Sequence, residues 1–299
     1  MHQFPPVDYI EPVFRPPSEA NSLILQVTNG CSWNRCTFCE MYVDAQKKFR
    51  PKSEADLLAE IRSCGHALPG TRRIFLADGD AMVLSFQRLR AILLAIRQYL
   101  PQVSRVSAYA LPGNLKNKSV EQLQELRELG LSLIYVGAES GDDQVLHCID
   151  KGETFVSTRD ALLKARAAGI RISVMLINGI GGRRYSEQHA LASAQLINET
   201  QPEFLATLVL FSRRGDERLL AGFEGEFQAL DQRELFIEME LLLSNLHLER
   251  TVFRSDHVSN FLALKGVLNR DQEALLQQLR TAIETPERVF LRQHEQRSL

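Results

Sequence analysis

From Ser22 onward the hydrophobic positions follow two alternating patterns, short and nearly continuous apolar runs and longer stretches with apolar residues at helical spacing. The runs at residues 23–28, 73–77, 103–108, 133–137, 171–177 and 204–211 are bounded by Gly, Asp, Asn or Pro. They read as strands covered on both faces. The segments between them open on capping residues: Ser53 with Asp56 three positions on, Ser85, Ser119 with Gln122, Ser157 with Asp160, and Ser186. A further helix is expected from Asp231, with Glu234, and Gly130 and Gly169 read as helix stops. Six βα units in this order predict an α/β fold with a parallel sheet, either barrel-like or doubly wound. Beyond residue 246 a last helix is expected near 271–284, and the polar stretch 251–261 reads as a connection between helices.

The N-terminal residues break the pattern. Five of the eleven prolines fall within the first 17 residues, and each lacks the amide hydrogen that helices and central strands need. Residues 1–20 are therefore expected to form an extended arm. The longest apolar runs, such as 91–96, stop well short of the ~18 residues of a membrane span. The first residues carry neither a basic start nor an apolar h-region, so the expected location is the cytoplasm.

Charge narrows the partners. With 35 Lys+Arg against 37 Asp+Glu, a chain of 299 residues has a net charge of −2 and offers no overall basic field, so nucleic acid is not favoured. The local basic run Lys47, Lys48, Arg50 and Lys52 reads as a solvated face, with a contact to an anionic substrate or to an electron-donor protein as the alternative.

The chemistry gathers in the string NGCSWNRCTFCEMY, where Cys31, Cys36 and Cys39 follow the first strand, the edge at which parallel α/β folds collect their sites. Five cysteines, three of them within nine residues, fit a disulfide framework poorly and a reduced metal site well. A structural zinc would want a fourth Cys or His, and the loop holds none. A 4Fe-4S cluster on three thiolates keeps one iron open for chemistry. Zinc with a remote His, giving a non-catalytic binding module, is the alternative from another class.

At this point the sequence resembles the radical S-adenosylmethionine superfamily, over about residues 22–211, in the branch of methylthiotransferase-like and coproporphyrinogen-oxidase-like members. The anchor is the cysteine triplet with the aromatic Phe38 directly before the last cysteine, although four residues separate Cys31 from Cys36 where most members have three. The resemblance implies a partial (β/α)6 TIM-like barrel at residues 21–220 with a C-terminal helical extension at 221–299. It implies a 4Fe-4S cluster and S-adenosylmethionine as cofactors, and reductive cleavage to a 5'-deoxyadenosyl radical that abstracts hydrogen from substrate. It also implies reduced flavodoxin or ferredoxin as electron donor.

Three motifs extend the resemblance. The turn FLADGDAM places Asp78, Gly79 and Asp80 where family members present backbone carbonyls to the cofactor's ammonium group; otherwise it is an acidic βα turn in which Asp80 serves as a cap. In YVGAESGDDQVL, Glu139 and Ser140 stand where family polar groups reach the cofactor's ribose or methionine end, or Ser140 and Asp142 cap a helix. In VMLINGIGG, which includes Asn178, the glycines allow close backbone approach to adenine or serve turn geometry alone. A small-molecule or peptide substrate is favoured, with tRNA as the runner-up. Arg254 and His257, in the stretch 251–261, are the candidate donors to a polar substrate.

Overall fold

The computed structural model describes residues 5–211 and 215–292. In chain order the elements are β1 (Leu23–Gln26), β2 (Thr28–Asn29), β3 (Arg50–Pro51), α1 (Glu54–Ala67), β4 (Arg73–Ala77), α2 (Phe86–Tyr99) and β5 (Arg105–Ala110). There follow α3 (Pro112–Lys116), α4 (Val120–Glu128), β6 (Leu131–Glu139), α5 (Asp143–Cys148), α6 (Phe155–Ala167), β7 (Arg171–Asn178) and α7 (Gly182–Thr200). The chain continues through β8 (Phe204–Val209), α8 (Glu217–Gly222), α9 (Gln232–Ser244), β9 (Val252–Ser255), β10 (Leu264–Val267) and α10 (Gln272–Glu284). The longer strands pair in chain order, β1-β4-β5-β6 in one part of the chain and β7-β8-β9-β10 in the other. This is the α/β order that successive right-handed βα units produce.

Two compact units divide the chain: residues 1–34, 41–136 and 163–172 form one, and 35–40, 137–162 and 173–299 the other. In the first, β1, β4, β5 and β6 pair in parallel, with Leu25 opposite Leu76 and Ala108 opposite Ile134. Its core holds the buried side chains Leu25, Ile74 and Leu76 of the strands, Leu57, Ile61 and Cys64 of α1 and Leu89 and Leu93 of α2, while Phe75 packs edge-on against Tyr109 and Tyr135 at ring-centroid distances of 5.0 and 6.1 Å. The proline-rich arm ends in a 3-10 turn, Pro17–Glu19. There the buried Glu19 carboxylate accepts from Arg105 at 2.8 and 2.9 Å, from Ser107 at 2.9 Å and from Tyr135 at 2.6 Å.

In the second unit β7 pairs in parallel with β8, β8 in parallel with β9, and β10 returns antiparallel to β9. The helices at Asp231 and Ser119 both begin with the reciprocal capping box that their sequences predict. Helix α6 begins two residues before Ser157, which instead exchanges hydrogen bonds with Thr154. Helix α7 begins at Gly182, a turn before Ser186. The extension holds α9 and α10 as expected and adds β9 and β10. Part of the stretch read as a connection, Val252–Ser255, is therefore strand: Phe253 is buried while Arg254 is exposed, an alternation too short to stand out in a polar context. Among the described residues no helix is long and apolar enough to cross a membrane.

Candidate functional site

The first unit supplies the front of the cysteine loop and the turn after β4. Chain direction changes at Gly30, whose φ is +70° and where a Cβ would lie 2.0 Å from the Lys47 carbonyl oxygen, so only glycine can lead into Cys31. Asn29 closes the base of the loop by donating to the carbonyls of Gln46 and Lys48 at 2.7 and 2.9 Å. Gly79 makes room for Cys31 in turn, since a Cβ there would stand 2.8 Å from the Cys31 Cβ.

Both aspartates of this turn are buried and already engaged. Asp80 accepts from the Ser32 N–H at 3.0 Å and from the Ser32 hydroxyl, tying the turn to the residue after Cys31. It gives no side-chain cap to the 3-10 turn Ala81–Val83, contrary to the capping alternative. Burial pushes its carboxyl above the ordinary range, while the hydrogen bonds from Ser32 and Asn114 work against that rise. Asp78 accepts from Tyr42 at 2.9 Å and Gln26 at 3.3 Å and forms an ion pair with Lys47. Lys47 is fully buried, which corrects the reading of its basic run as a solvated face. Its charge has a partner in Asp78, whereas Lys48 and Arg50 are exposed as expected.

The second unit holds the rest of the loop, residues 35–40. The Thr37 N–H donates to the Ile149 carbonyl at 2.9 Å, and Arg35 pairs with Asp150 at 3.0 Å. Arg218 of α8 donates to the carbonyls of Cys39 and Cys36 at 3.0 and 2.9 Å, so one guanidinium grips both cysteine residues by the backbone. Phe38 is partly buried against the apolar group of Val145, Ile149, Leu219 and Phe223.

Glu139, at the end of β6, has φ +63°, an uncommon and strained setting for a residue with a side chain. Its carboxylate pairs with Lys151 at 2.9 Å, both side chains being buried, and Gly137 leaves the space it occupies: a Cβ there would be 2.2 Å from Glu139 Oε1. Burial opposes the Lys151 charge, but Glu139, with Cys36 and Cys39 nearby, holds its ammonium above the usual lysine range. A fixed cation thus accompanies two of the three thiols.

Ser140 lies 2.8 Å from His189 Nδ1 and accepts from the Asp142 N–H at 3.0 Å, while Asp142 caps α5 through the Val145 N–H at 2.8 Å. The capping alternative therefore holds for Asp142. Burial lowers the His189 pKa below the ordinary range, with Glu238 opposing it. Glu238 of α9 accepts from Asn178 Nδ2, the Gly179 N–H and the Ser186 hydroxyl, each at 2.6 Å. Arg254 is an exposed residue of β9, 3.8 Å from Asp256, and His257 lies in the following turn, 2.9 Å from the Ser259 hydroxyl.

The structure thus gathers Cys31, Asp78, Gly79 and Asp80 in one unit and Cys36, Phe38, Cys39 and Glu139 in the other, where His189 and Glu238 link Ser140 to Asn178. Sequence reasoning missed Lys47, Lys151, Arg218 and Glu238. Lys47 stands in the basic run that reads as a solvated face, and Lys151, Arg218 and Glu238 lie outside any motif; of these three only Lys151, three residues past the end of α5 and next to a glycine, stands near one.

The donor set suits an iron-sulfur cluster: three half-buried thiols, none in a disulfide, in a loop held by backbone contacts. Among the described residues no three His, Cys, Asp or Glu side chains converge as ligands around a single ion would.

A family model, the radical SAM superfamily, matches residues 25–197. Among curated proteins, the chain is similar to one assigned as a methylthiotransferase in Methanocaldococcus jannaschii, 22% identical over 159 residues, which are 51% of this chain and 34% of that protein. It is also similar to the heme chaperone HemW of Bacillus subtilis, 24% identical over 163 residues, or 53% of this chain and 42% of that one. The match spans less than half the length of either relative. The crystal structure of methylornithine synthase (PylB) shares the fold, with a TM-score of 0.52 at 14% identity over 87% of this chain and 80% of that one.

Proposed function

Because the chain belongs to the radical S-adenosylmethionine superfamily, we propose that Cys31, Cys36 and Cys39 hold three irons of a 4Fe-4S cluster and leave the fourth to S-adenosylmethionine. The protein is an enzyme of that superfamily, and these two groups are its cofactors. When bound, they supply one-electron cleavage of the sulfonium and a carbon radical that takes hydrogen from substrate. The observation that carries the reading is the loop itself, in which Arg218 grips the Cys36 and Cys39 backbone and Asp80 fixes the residue after Cys31.

The chain's own residues divide the remaining work. With the carboxylates of Asp78 and Asp80 engaged by Lys47 and Ser32, and the Asp80 carbonyl accepting from the Val83 N–H at 2.9 Å, the main-chain carbonyls proposed for an ammonium group are those of Asp78 and Gly79. Glu139, held by Lys151, and Ser140 are acceptor and hydroxyl for sugar and methionine groups. Asn178 leads the glycine-lined stretch that would lie against adenine, and Phe38 seats the cluster loop on the apolar side. Arg254 and His257 are the proposed donors to a polar small molecule or peptide, and reduced flavodoxin or ferredoxin is the proposed electron source.

Anaerobic reconstitution with iron and sulfide tests this. The wild-type protein should turn brown and, with dithionite, convert S-adenosylmethionine to 5'-deoxyadenosine. Cys36→Ala should lose both, because two thiolates do not hold a cubane, whereas Cys64→Ala should retain them. Full iron content in the Cys36 variant, or a colourless zinc-bearing wild type, would overturn the reading.

A further inference from the structure

The first unit contains a cavity of about 490 Å³ that none of the roles above uses, lined by the start of α2, the residues around α3 and the first turn of α4. Its lining carries one cation, Lys118, and none of the described residues lining it is acidic. Lys118 is 5% exposed. Its ammonium donates to the carbonyls of Met82 at 2.7 Å and Asn114 at 3.1 Å, dipoles rather than a countercharge, and these two contacts use two of its three N–H groups. A buried cation balanced only by carbonyls is costly, and an arriving anion would relieve that cost. Burial accordingly lowers the Lys118 pKa to about 8.

The neutral groups of the lining are donors as well. The Gln122 carboxamide oxygen accepts from the Ser119 N–H at 3.1 Å, which leaves its NH2 to face a ligand. The Ser85 hydroxyl accepts from the Arg88 N–H at 3.3 Å and so has its own hydrogen to give. Phe86 and Gln87 begin α2, and a helix supplies no acceptor for N–H groups in its first turn. Donors therefore come from three elements around one space, a distribution suited to the several terminal oxygens of a tetrahedral anion better than to a planar carboxylate. Val83 and Phe86 give the cavity an apolar side for an organic remainder. The volume is in the range of small-molecule sites.

We propose that this cavity binds the phosphate group of a small organic molecule. The proposal stands apart from the cluster reading, because no cysteine and none of the residues assigned to cofactor lines the cavity.

Calorimetry on the full-length, cluster-reconstituted protein tests it, with inorganic phosphate as the probe and acetate in parallel. Two variants carry the comparison. Lys118→Met removes the cation. Gln122→Glu keeps the oxygen that accepts from Ser119, and hence the helix cap, but replaces the donor with a negative charge. Saturable phosphate binding by the wild type, weakened at least tenfold in both variants with the affinity for S-adenosylmethionine unchanged, is the expected result. Circular dichroism melting of Gln122→Glu near the wild-type temperature would show that its loss is not one of folding. Equal phosphate binding in all three proteins, no saturable binding by the wild type, or acetate bound more tightly than phosphate would overturn the proposal.

Discussion

Lys151 and Glu139 form a buried ion pair whose two members are 4% and 10% exposed, at the end of a strand and beside two cysteines. Neither charge is comfortable alone. Removing one partner from a buried pair strands the other, at a cost of roughly 3 to 5 kcal/mol, whereas replacing both by neutral groups costs far less. In the cluster-free protein, Lys151→Met should therefore lose about 3 kcal/mol of stability in urea denaturation. The double variant Lys151→Met, Glu139→Gln should recover much of that loss, since no uncompensated charge remains. A single variant within about 1 kcal/mol of wild type, the range of a solvated pair, would show that water reaches the carboxylate. The strained φ of Glu139 gives the pair a second role, because the contact with Lys151 holds the carboxylate over Gly137, where any side chain at 137 would collide with it.

At the scale of elements, one carboxylate joins α9 to the end of β7. Glu238 is the acceptor for Asn178, Gly179 and Ser186, all within the same unit, and two of these donors belong to the glycine-lined stretch. Glu238→Ala should leave them unsatisfied, at about 1 to 3 kcal/mol for each buried group. A drop in the denaturation midpoint much larger than that of Glu238→Gln, which retains one acceptor oxygen, is the expected outcome; equal drops would show that the charge rather than the acceptor matters. None of this was legible in the sequence, because a glutamate on an amphipathic helix looks like any solvent-facing one. What was legible had local causes. Ser53, Ser85, Ser119 and Asp231 cap their helices as read, since a cap depends on residues three positions apart. Gly169, with φ +74°, ends α6 for the same kind of reason. The strands β9 and β10, the Lys47–Asp78 pair and the Glu238 contacts depend on partners 9 to 60 residues away, beyond the reach of a capping motif.

Over the whole molecule, the titration of buried groups predicts how stability changes in alkali. Burial pushes the Cys64 thiol up to about 11 and the Tyr9 phenol up to about 12, and it also raises Tyr109 and Tyr135. Each of these groups keeps its proton in the folded chain at a pH where the unfolded chain has lost it. Its stabilising contribution is fully present below the unfolded pKa, near 9 for the thiol and 10 for the phenols, and disappears as the pH rises through the folded value. Lys118 works in the opposite sense. Its folded pKa of about 8 lies below the ordinary 10.5, so its buried charge costs stability at neutral pH and that cost fades between those values. Stability should therefore rise slightly from pH 8 to 9, level off where thiol and ammonium oppose each other, and fall steeply above about 10.5. Every proton held only by the folded state then contributes a slope of about 1.4 kcal/mol per pH unit. Urea denaturation of the cluster-free protein from pH 7 to 11 checks this. Tyr9→Phe, which removes both the ionisable phenol and its 2.8 Å hydrogen bond to the Ile24 carbonyl, should start from a lower stability and fall less steeply. Parallel curves for the two proteins would mean that Tyr9 titrates in the folded chain as it does in the unfolded one, and that the arm it belongs to opens before the rest.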